Sequence, residues 1–428
     1  MIEGVTRLAV PDFCLVLLVG AAGSGKSSFA ARHFRPTEIV SSDHCRALVS
    51  DDESDQSASA AAFELVHLIT EKRLAARRLT VIDATNVKQH HRQTFLSLAR
   101  RFHAPVVMCI FMLDHATCIA QVRQRVAAGG RDVPQAVIAS QLADLKKGLP
   151  GIRKLRKVKA LHGFSTASEV AAVEHVERYP PECDRRGDRG PFDIIGDVHG
   201  CADELERLLA RLGYRVAEQG PPGQRHYEVQ PPEGRRALFL GDLVDRGPRT
   251  PDVLRLVRGM TEAGNALCLM GNHEARLIRR LRGHDVALTH GLEATLDQLS
   301  MQPEGFAAEI LPWLEALPDH FVLDRGDLVV AHAGLKAELQ NRVSGKVRAF
   351  ALYGETTGMT DGDGLPERVD WAADYRGAAR VVHGHTPVQE PEWRNRVLCI
   401  DTGCCFGGRL TALRWPEMTL VSQPAGRA

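Results

Sequence analysis

The sequence has almost no net charge: 54 lysines and arginines stand against 53 acids, leaving +1 over 428 residues with histidine neutral. So balanced a chain has no global field to draw in a nucleic acid, and any such binding must rest on local patches. Long apolar runs are also missing. The longest near the start, Phe13 to Val19, is far too short to cross a bilayer and reads as a buried strand. No signal peptide is visible. The ten cysteines include no CxxC pair of zinc-site spacing, and the neighbours Cys404 and Cys405 are poorly placed to bridge each other. Reduced cysteines in a cytoplasmic protein without a membrane segment are therefore expected. The chain is long enough for two or three domains, each with its own core.

The run Phe13–Val19 enters Gly20, Ala21, Ala22, Gly23, Ser24, Gly25, Lys26, Ser27 and Ser28, and an alanine-rich helical stretch follows. This matches G-x-x-x-x-G-K-[ST] in its strand–loop–helix context. Loop amides and a helix N-terminus favour a bound anion. With ATP as the nucleotide, Lys26 would reach the β- and γ-phosphates and Ser27 would hold Mg²⁺. The bland reading is a glycine-rich turn without nucleotide.

A second short strand ends in Asp43, with Arg46 on the same face if a helix begins there. Asp43 is either the base that accepts the proton of an attacking hydroxyl or a helix N-cap. Asp83 ends a third strand and either supports the Mg²⁺ shell or ties down the strand end. His90 and His91 read as surface or packing residues. Helices are expected around 61–78 and from Cys118 to Ala128. The latter carries Arg123 and Arg125, with Arg131 just beyond Gly129-Gly130. These arginines read either as a lid over the transferred phosphoryl group or as a solvated face. Lys146–Lys159 holds seven basic residues and no acid, and fits a nucleic acid backbone or a solvated connector. Residues 180–191 have linker composition.

The second half is organised around Phe192–Gly200, where a short buried strand delivers Asp197 and His199 together. Later apolar strands end in Gly241-Asp242-Leu243-Val244-Asp245-Arg246-Gly247, Gly271-Asn272-His273-Glu274, His332-Ala333-Gly334 and His383-Gly384-His385-Thr386-Pro387. Asp197, His199, Asp242, Asn272, His332 and His385 form a mixed nitrogen and oxygen set. It suits Mn²⁺ first, then Fe, Zn²⁺ or Ni²⁺, rather than Ca²⁺. Two divalent ions bridged by one carboxylate, with Asp242 the natural bridge, activate water for in-line displacement at phosphorus. Arg246 offers a fork for phosphate oxygens. His273 is placed to protonate a leaving oxygen, with Asp245 as orienting partner. Arg276, Arg279, Arg280 and Arg282 follow and would steer a polyanion. Asp401 ends a further strand. A lone histidine is more often a packing residue; five such motifs in order are not a packing pattern.

The second half resembles the binuclear metallophosphoesterases of the phosphoprotein-phosphatase type. The first half resembles P-loop kinases of hydroxyl acceptors. Together they resemble the bacterial polynucleotide kinase-phosphatases that heal broken RNA ends. The stretches that carry this are GAAGSGKSS, SSDHCR and DATN, then the metal motifs with YGETTG (353–358), DYRG (374–377), HGHTPVQEPEW (383–393) and IDTGCCFGGRLTALRWP (400–416). The fold implied is α/β. A P-loop kinase domain, a parallel sheet flanked by helices, would span 1–179, a linker 180–191, and a metallophosphoesterase domain, a two-sheet sandwich flanked by helices, 192–428.

The resemblance implies transfer of the ATP γ-phosphate to a 5′-OH end, with Asp43 as general base and Arg46 on the acceptor. It also implies removal of 2′,3′-cyclic phosphate, 2′-phosphate or 3′-phosphate by the metal set, with Arg246, His273 and Asp401 around it and His383 a neighbour rather than a ligand. RNA or DNA ends and ATP are the implied partners, with a separate ligase or RNA-modifying protein beyond them. The family's full form adds a ligase-like domain, for which this sequence leaves no room. It also spaces its lid arginines differently before Arg131-Asp132-Val133-Pro134. Two other readings stand beside this one. The first is a protein Ser/Thr phosphatase or dinucleoside polyphosphate hydrolase with a regulatory P-loop domain. The second is a binding module whose P-loop domain only anchors RNA.

Overall fold

Leu15–Gly20 is a strand in which every residue is buried. Alternate side chains leave opposite faces of a strand. Here Val16 and Leu18 pack with Phe29, Phe111 and Phe164, while Leu15, Leu17 and Val19 pack with Val66, Leu74 and Phe95. Both faces are covered, which is why the run carries no polar alternation. The computed structural model in which this is seen describes residues 7–153, 158–221, 225–360 and 366–426. The chain divides into two units, Met1–Pro181 and Glu182–Ala428.

In the first unit Leu15–Gly20 is the centre of a five-stranded sheet in the order Ile39–Ser41, Thr80–Asp83, Leu15–Gly20, Val106–Phe111, Ala160–Phe164. Every pairing is parallel. A parallel sheet presents the carboxyl ends of its strands at one edge, where ligands bind in folds of this kind. Helices follow the strands at Lys26–His33, Ser42–Ser50, Gln89–Arg101 and His115–Ala127. The helix expected around 61–78 runs Ser59–Ala75. The helix expected from Cys118 starts three residues earlier, because Asp114 caps it by accepting the Thr117 amide at 2.8 Å. Of the basic stretch 146–159, residues 146–153 end the helix Gln135–Arg153, and 154–157 lie outside the described residues.

The second unit is a sandwich of two sheets. One runs Ala266–Cys268, Arg236–Phe239, Phe192–Ile195, Arg409–Trp415, Asp401–Thr402, with Thr419–Pro424 also paired to Arg409–Trp415. The other runs Val397–Cys399, Arg380–His383, Leu328–Ala331, His320–Leu323, Asp184–Arg185. Phe192, Ile194, Leu238 and Leu413 from the first interleave with Phe321, Val330, Val382 and Leu398 from the second. The helices Ala202–Leu212 and Thr250–Glu262 cover the outer face of the first sheet, and Gly345–Tyr353 covers the second.

The stretch read as linker contributes to this unit. Asp184–Arg185 pairs in parallel with Val322–Leu323. Linker composition marks the start of this unit but hides a two-residue edge strand, too short for any periodicity to show. No helix among the described residues is long and apolar enough to cross a membrane.

Candidate active sites

Gly25, in the left-handed region at φ 85°, delivers the chain into the helix Lys26–His33. The residues Ala22 to Ser28 line a cavity of about 690 Å³. Gly20 and Ala21 lie beneath it: the Gly20 amide donates to the Thr85 carbonyl at 2.9 Å, and the Ala21 carbonyl accepts from Lys26 Nζ at 2.6 Å. Lys26 Nζ also reaches Ser24 Oγ at 3.2 Å. Burial lowers the Lys26 pKa to about 8, with Asp83 pulling the other way. Asp83 itself is pushed above its ordinary range by burial, against the pull of Lys26 and a hydrogen bond from Ser27. An anion in the cavity restores the balance for Lys26, and a cation does so for Asp83.

Asp43 lines the same cavity. It is not an N-cap: that place belongs to Ser41, whose hydroxyl accepts the His44 amide at 3.4 Å, and Asp43 lies in the helix's first turn. Its Oδ1 accepts from Arg46 Nη1 at 2.8 Å and from Arg131 Nη1 at 3.0 Å. Arg46 is fixed in turn by the Glu53 carbonyl at 2.7 Å.

The structure separates the three candidate lid arginines. Arg125 and Arg131 line the cavity and Arg123 is not among its lining residues. Two residues along a helix is more than half a turn, so Arg123 and Arg125 cannot face the same way. Arg131 reaches Asp43 because Arg125 Nε donates to the Arg131 carbonyl at 3.0 Å and folds the Gly129-Gly130 turn back. Phe63 and His91 also line the cavity. The sequence offered no signal for Phe63, and His91 had read as a surface or packing residue.

In the second unit, Asp242 belongs to two groups of donor atoms, each lying within 4.8 Å of one another: His199, Asp242 and His273, and Asp242, His332 and His385. This is the disposition expected of a bridging carboxylate. Asp197 joins the second group, its Oδ2 accepting the His385 amide at 2.9 Å. The packing there leaves no room for a side chain at 384: a Cβ on Gly384 would stand 2.0 Å from Asp197 Oδ1. Asn272 Oδ1 lies 2.8 Å from His332 Nε2. His199, Asp242, Asp245, Arg246 and His385 all have positive φ, the kind of local strain that persists only where the surroundings enforce it.

Two features test whether cations fit. His199 Nδ1 faces the Val244 carbonyl at 2.8 Å and His332 Nδ1 the Leu240 carbonyl at 3.1 Å. Each carbonyl takes the ring proton and leaves a bare Nε2 turned inward, the usual support for a ligand histidine. The inward nitrogen of His332 lies 2.8 Å from Asn272 Oδ1, 3.0 Å from His385 Nδ1 and 3.3 Å from Asp242 Oδ2. A cation among these lone pairs would satisfy them together. Burial opposes a charged His332, yet Asp242 and Asp197 push its pKa up to about 9. Asp197 Oδ1 is buried without a partner among the described residues. Burial, then the Asp401 carboxylate, push Asp197 well above the usual carboxylate range. The residues present fit divalent cations.

His273 Nδ1 lies 2.5 Å from Asp245 Oδ2, and Asp245 Oδ1 accepts from Thr295 Oγ1 at 2.7 Å. His273 Nε2 therefore faces the centre, 3.8 Å from Asp242 Oδ2. Arg246 is exposed, its guanidinium 4.6 Å above the Phe406 ring. His383 turns Nδ1 to the Gly384 carbonyl at 3.0 Å and is in neither donor group. Asp401 accepts the Gly403 amide at 3.0 Å beside Asp197. Arg282 is paired with Glu315 at 2.6 Å, so it is not a free steering charge.

Sequence reasoning passed over Glu274. Fully buried, it accepts amides from Asp242, Leu243 and Gly271 at 2.8, 2.7 and 2.9 Å and fixes the loop that carries Asp242. An acid at the third position of a helix was the available signal.

Comparison with known proteins agrees with this division. Residues 15–147 match the AAA domain family and residues 190–389 the calcineurin-like phosphoesterase family. The bis(5′-nucleosyl)-tetraphosphatase PrpE of Bacillus subtilis is 44% identical over 238 residues, which is 55% of this chain and 94% of that protein. The PrpE of Halalkalibacterium halodurans is 42% identical over 238 residues, with the same coverage. A solved yeast protein serine/threonine phosphatase aligns with 16% identity and a TM-score of 0.41, covering 58% of this chain and 84% of its own.

Proposed function

Given that the chain belongs, through its second unit, to the calcineurin-like phosphoesterase family and joins to it a P-loop unit, we propose that it is a bifunctional end-healing enzyme: a 5′-OH polynucleotide kinase and a 2′,3′-cyclic phosphate, 2′-phosphate and 3′-phosphate phosphatase acting in cytoplasmic RNA repair. The observation that carries the kinase half is Asp43. A carboxylate held by two arginines in the cavity that Lys26 and Ser27 also line is what a hydroxyl acceptor requires, whereas a regulatory NTPase has no need of it.

In the kinase step Asp43 takes the proton of the 5′-hydroxyl as that oxygen bonds to the γ-phosphorus, and the bond to the β-phosphate bridging oxygen breaks to release ADP. Lys26, Arg125 and Arg131 meet the charge on the transferred group. In the phosphatase, Asp197, His199, Asp242, Asn272, His332 and His385 would hold two divalent ions, Mn²⁺ foremost. Phosphoesterases of this family use divalent metals, which when bound activate water and neutralise phosphate charge. His273, oriented by Asp245, gives its Nε2 proton to the leaving oxygen. Arg246 offers its guanidinium to phosphate oxygens. A separate ligase or RNA-modifying protein would act on the healed ends.

The relatives favour a second reading. Their name is that of dinucleoside tetraphosphatases, and the match spans nearly their whole length. On that reading the second unit cleaves dinucleoside polyphosphates and the first regulates it. The test is transfer from γ-labelled ATP to matched 5′-OH RNA and DNA oligonucleotides, with Asp43→Ala alongside. Label on the oligonucleotide that disappears in the variant is expected. Free phosphate alone would overturn the kinase reading in favour of the second.

A further inference from the structure

Two stretches that carry the family resemblance, Tyr353–Gly358 and the residues after His385, have no part in the metal centre, and neither has Arg368–Ala372, just ahead of Asp374–Gly377. In the structure they meet. Gly354 and Glu355, then Arg368 to Ala372, then Thr386, Val388 and Glu392, wall a cavity of about 320 Å³ in which the ligand His385 is also a wall residue. This volume falls in the range of small-molecule sites. Much of the wall is apolar: Val369, Ala372, Val388 and Val397, with Trp371. Trp371 is fixed by the site itself. A Cβ on Gly334 would lie 2.1 Å from its Cζ2, and its ring centroid is 5.8 Å from that of His383.

Two arginines stand on this wall, and they differ. Arg394 is paired with Asp370. Arg368 donates Nη1 to the Tyr353 carbonyl at 2.9 Å and forms no ion pair among the described residues. An apolar slot with a cation on its wall, adjoining a phosphoester centre, has the chemistry of a nucleotide: a flat apolar base, a sugar, and phosphate for a guanidinium fork.

We propose that this cavity is the nucleoside subsite of the phosphoesterase centre, taking the base and sugar of a nucleotide that carries two phosphates, one at the metal ligands and one against Arg368. The proposal rests on the phosphoesterase reading above and adds to it where the nucleoside and a second phosphate are held. The second phosphate belongs either to the preceding linkage of an RNA 3′ end or to a polyphosphate chain.

The experiment compares four substrates with the full-length, Mn²⁺-supplied protein: glycerol 2-phosphate, adenosine 3′-phosphate, the dinucleotide ApA 3′-phosphate, and diadenosine tetraphosphate. Val388→Phe and Ala372→Phe fill the slot. Each is expected to raise KM about tenfold or more for the nucleotides and to leave kcat/KM for glycerol 2-phosphate within about twofold. Arg368→Ala, an exposed change that does not threaten folding, is expected to raise KM about tenfold only where a second phosphate is present. Whether ApA 3′-phosphate or diadenosine tetraphosphate responds names the source of that phosphate. Equal effects on all four substrates, or none, would overturn the subsite while leaving the phosphatase reading intact. If the native protein hydrolyses only glycerol 2-phosphate, the nucleotide reading itself fails.

Discussion

Between Gly20 and Ser28 the first unit uses one contiguous stretch, a strand end and a helix start, to make an anion cradle. The second unit instead gathers side chains from strand ends as far apart in sequence as Asp197 and His385, 188 residues. The first centre relies on backbone amides and one buried lysine. The second relies on two sheets keeping register, because His332 and His385 leave one sheet, and Asp197 and Asp242 the other. A local site is robust to change elsewhere in its unit. A distributed one fails when any contributing loop moves, which accounts for the buried Glu274 that pins the Asp242 loop.

The strongest way to break the comparison is to remove one group from each centre. Lys26→Ala should cut phosphate transfer by about a thousandfold or more and leave phosphatase turnover unchanged; Asp242→Ala should do the reverse, and chelation should mimic it. Steady-state assays of both activities on both variants decide it. If either change removes both activities from a folded protein, the two centres are not independent. Asp43→Asn comes next, with an expected loss of about 10²- to 10⁴-fold in transfer and ATP affinity by calorimetry within about twofold. A parallel fall in ATP affinity would make Asp43 a binding group instead of a base. The arginines sharpen the local site further. Arg131→Ala should cost about a hundredfold in transfer and Arg123→Ala less than about twofold, and the opposite ranking would return the lid to the helix face.

The same contrast explains what the sequence made legible. Each candidate ligand follows an apolar run, so periodicity and ligand type coincide and the six residues that the structure gathers could be read in order. Asp245 could be paired with His273 because they sit in neighbouring motifs of known direction. The P-loop was legible from Gly20–Ser28 alone. What stayed hidden depends on where a loop returns. Arg131 meets Asp43 where the Gly129-Gly130 turn folds back, and the sequence left Arg123, Arg125 and Arg131 undivided. Glu274 acts through backbone amides, which leave no mark on a side-chain pattern. Asp184–Arg185 is a strand only because Val322–Leu323 lies beside it. Phe63, His91 and the walls around Trp371 come together through tertiary packing that no local window contains.

The smallest effect separates the two units by stability instead of activity. Glu38 sits just before the edge strand Ile39–Ser41. It takes both guanidinium nitrogens of Arg178 at 2.8 and 2.7 Å, with the Arg35 amide at 2.9 Å. Burial works against its charge, but the Arg178 fork outweighs it and holds its pKa below the usual 4.5. A carboxylate whose folded pKa is depressed stabilises fully above its unfolded value, and that stability disappears as pH falls through the folded one. Glu38→Gln should therefore cost about 1–3 kcal/mol at pH 7, with the gap from the native protein narrowing below pH 4.5. All four tryptophans, 313, 371, 393 and 415, lie in the second unit. In urea, the circular dichroism transition of the first unit should shift while the tryptophan fluorescence transition stays in place. A matching shift of the fluorescence transition would show that the two units unfold as one, and that the independence inferred from their separate centres does not extend to their stability.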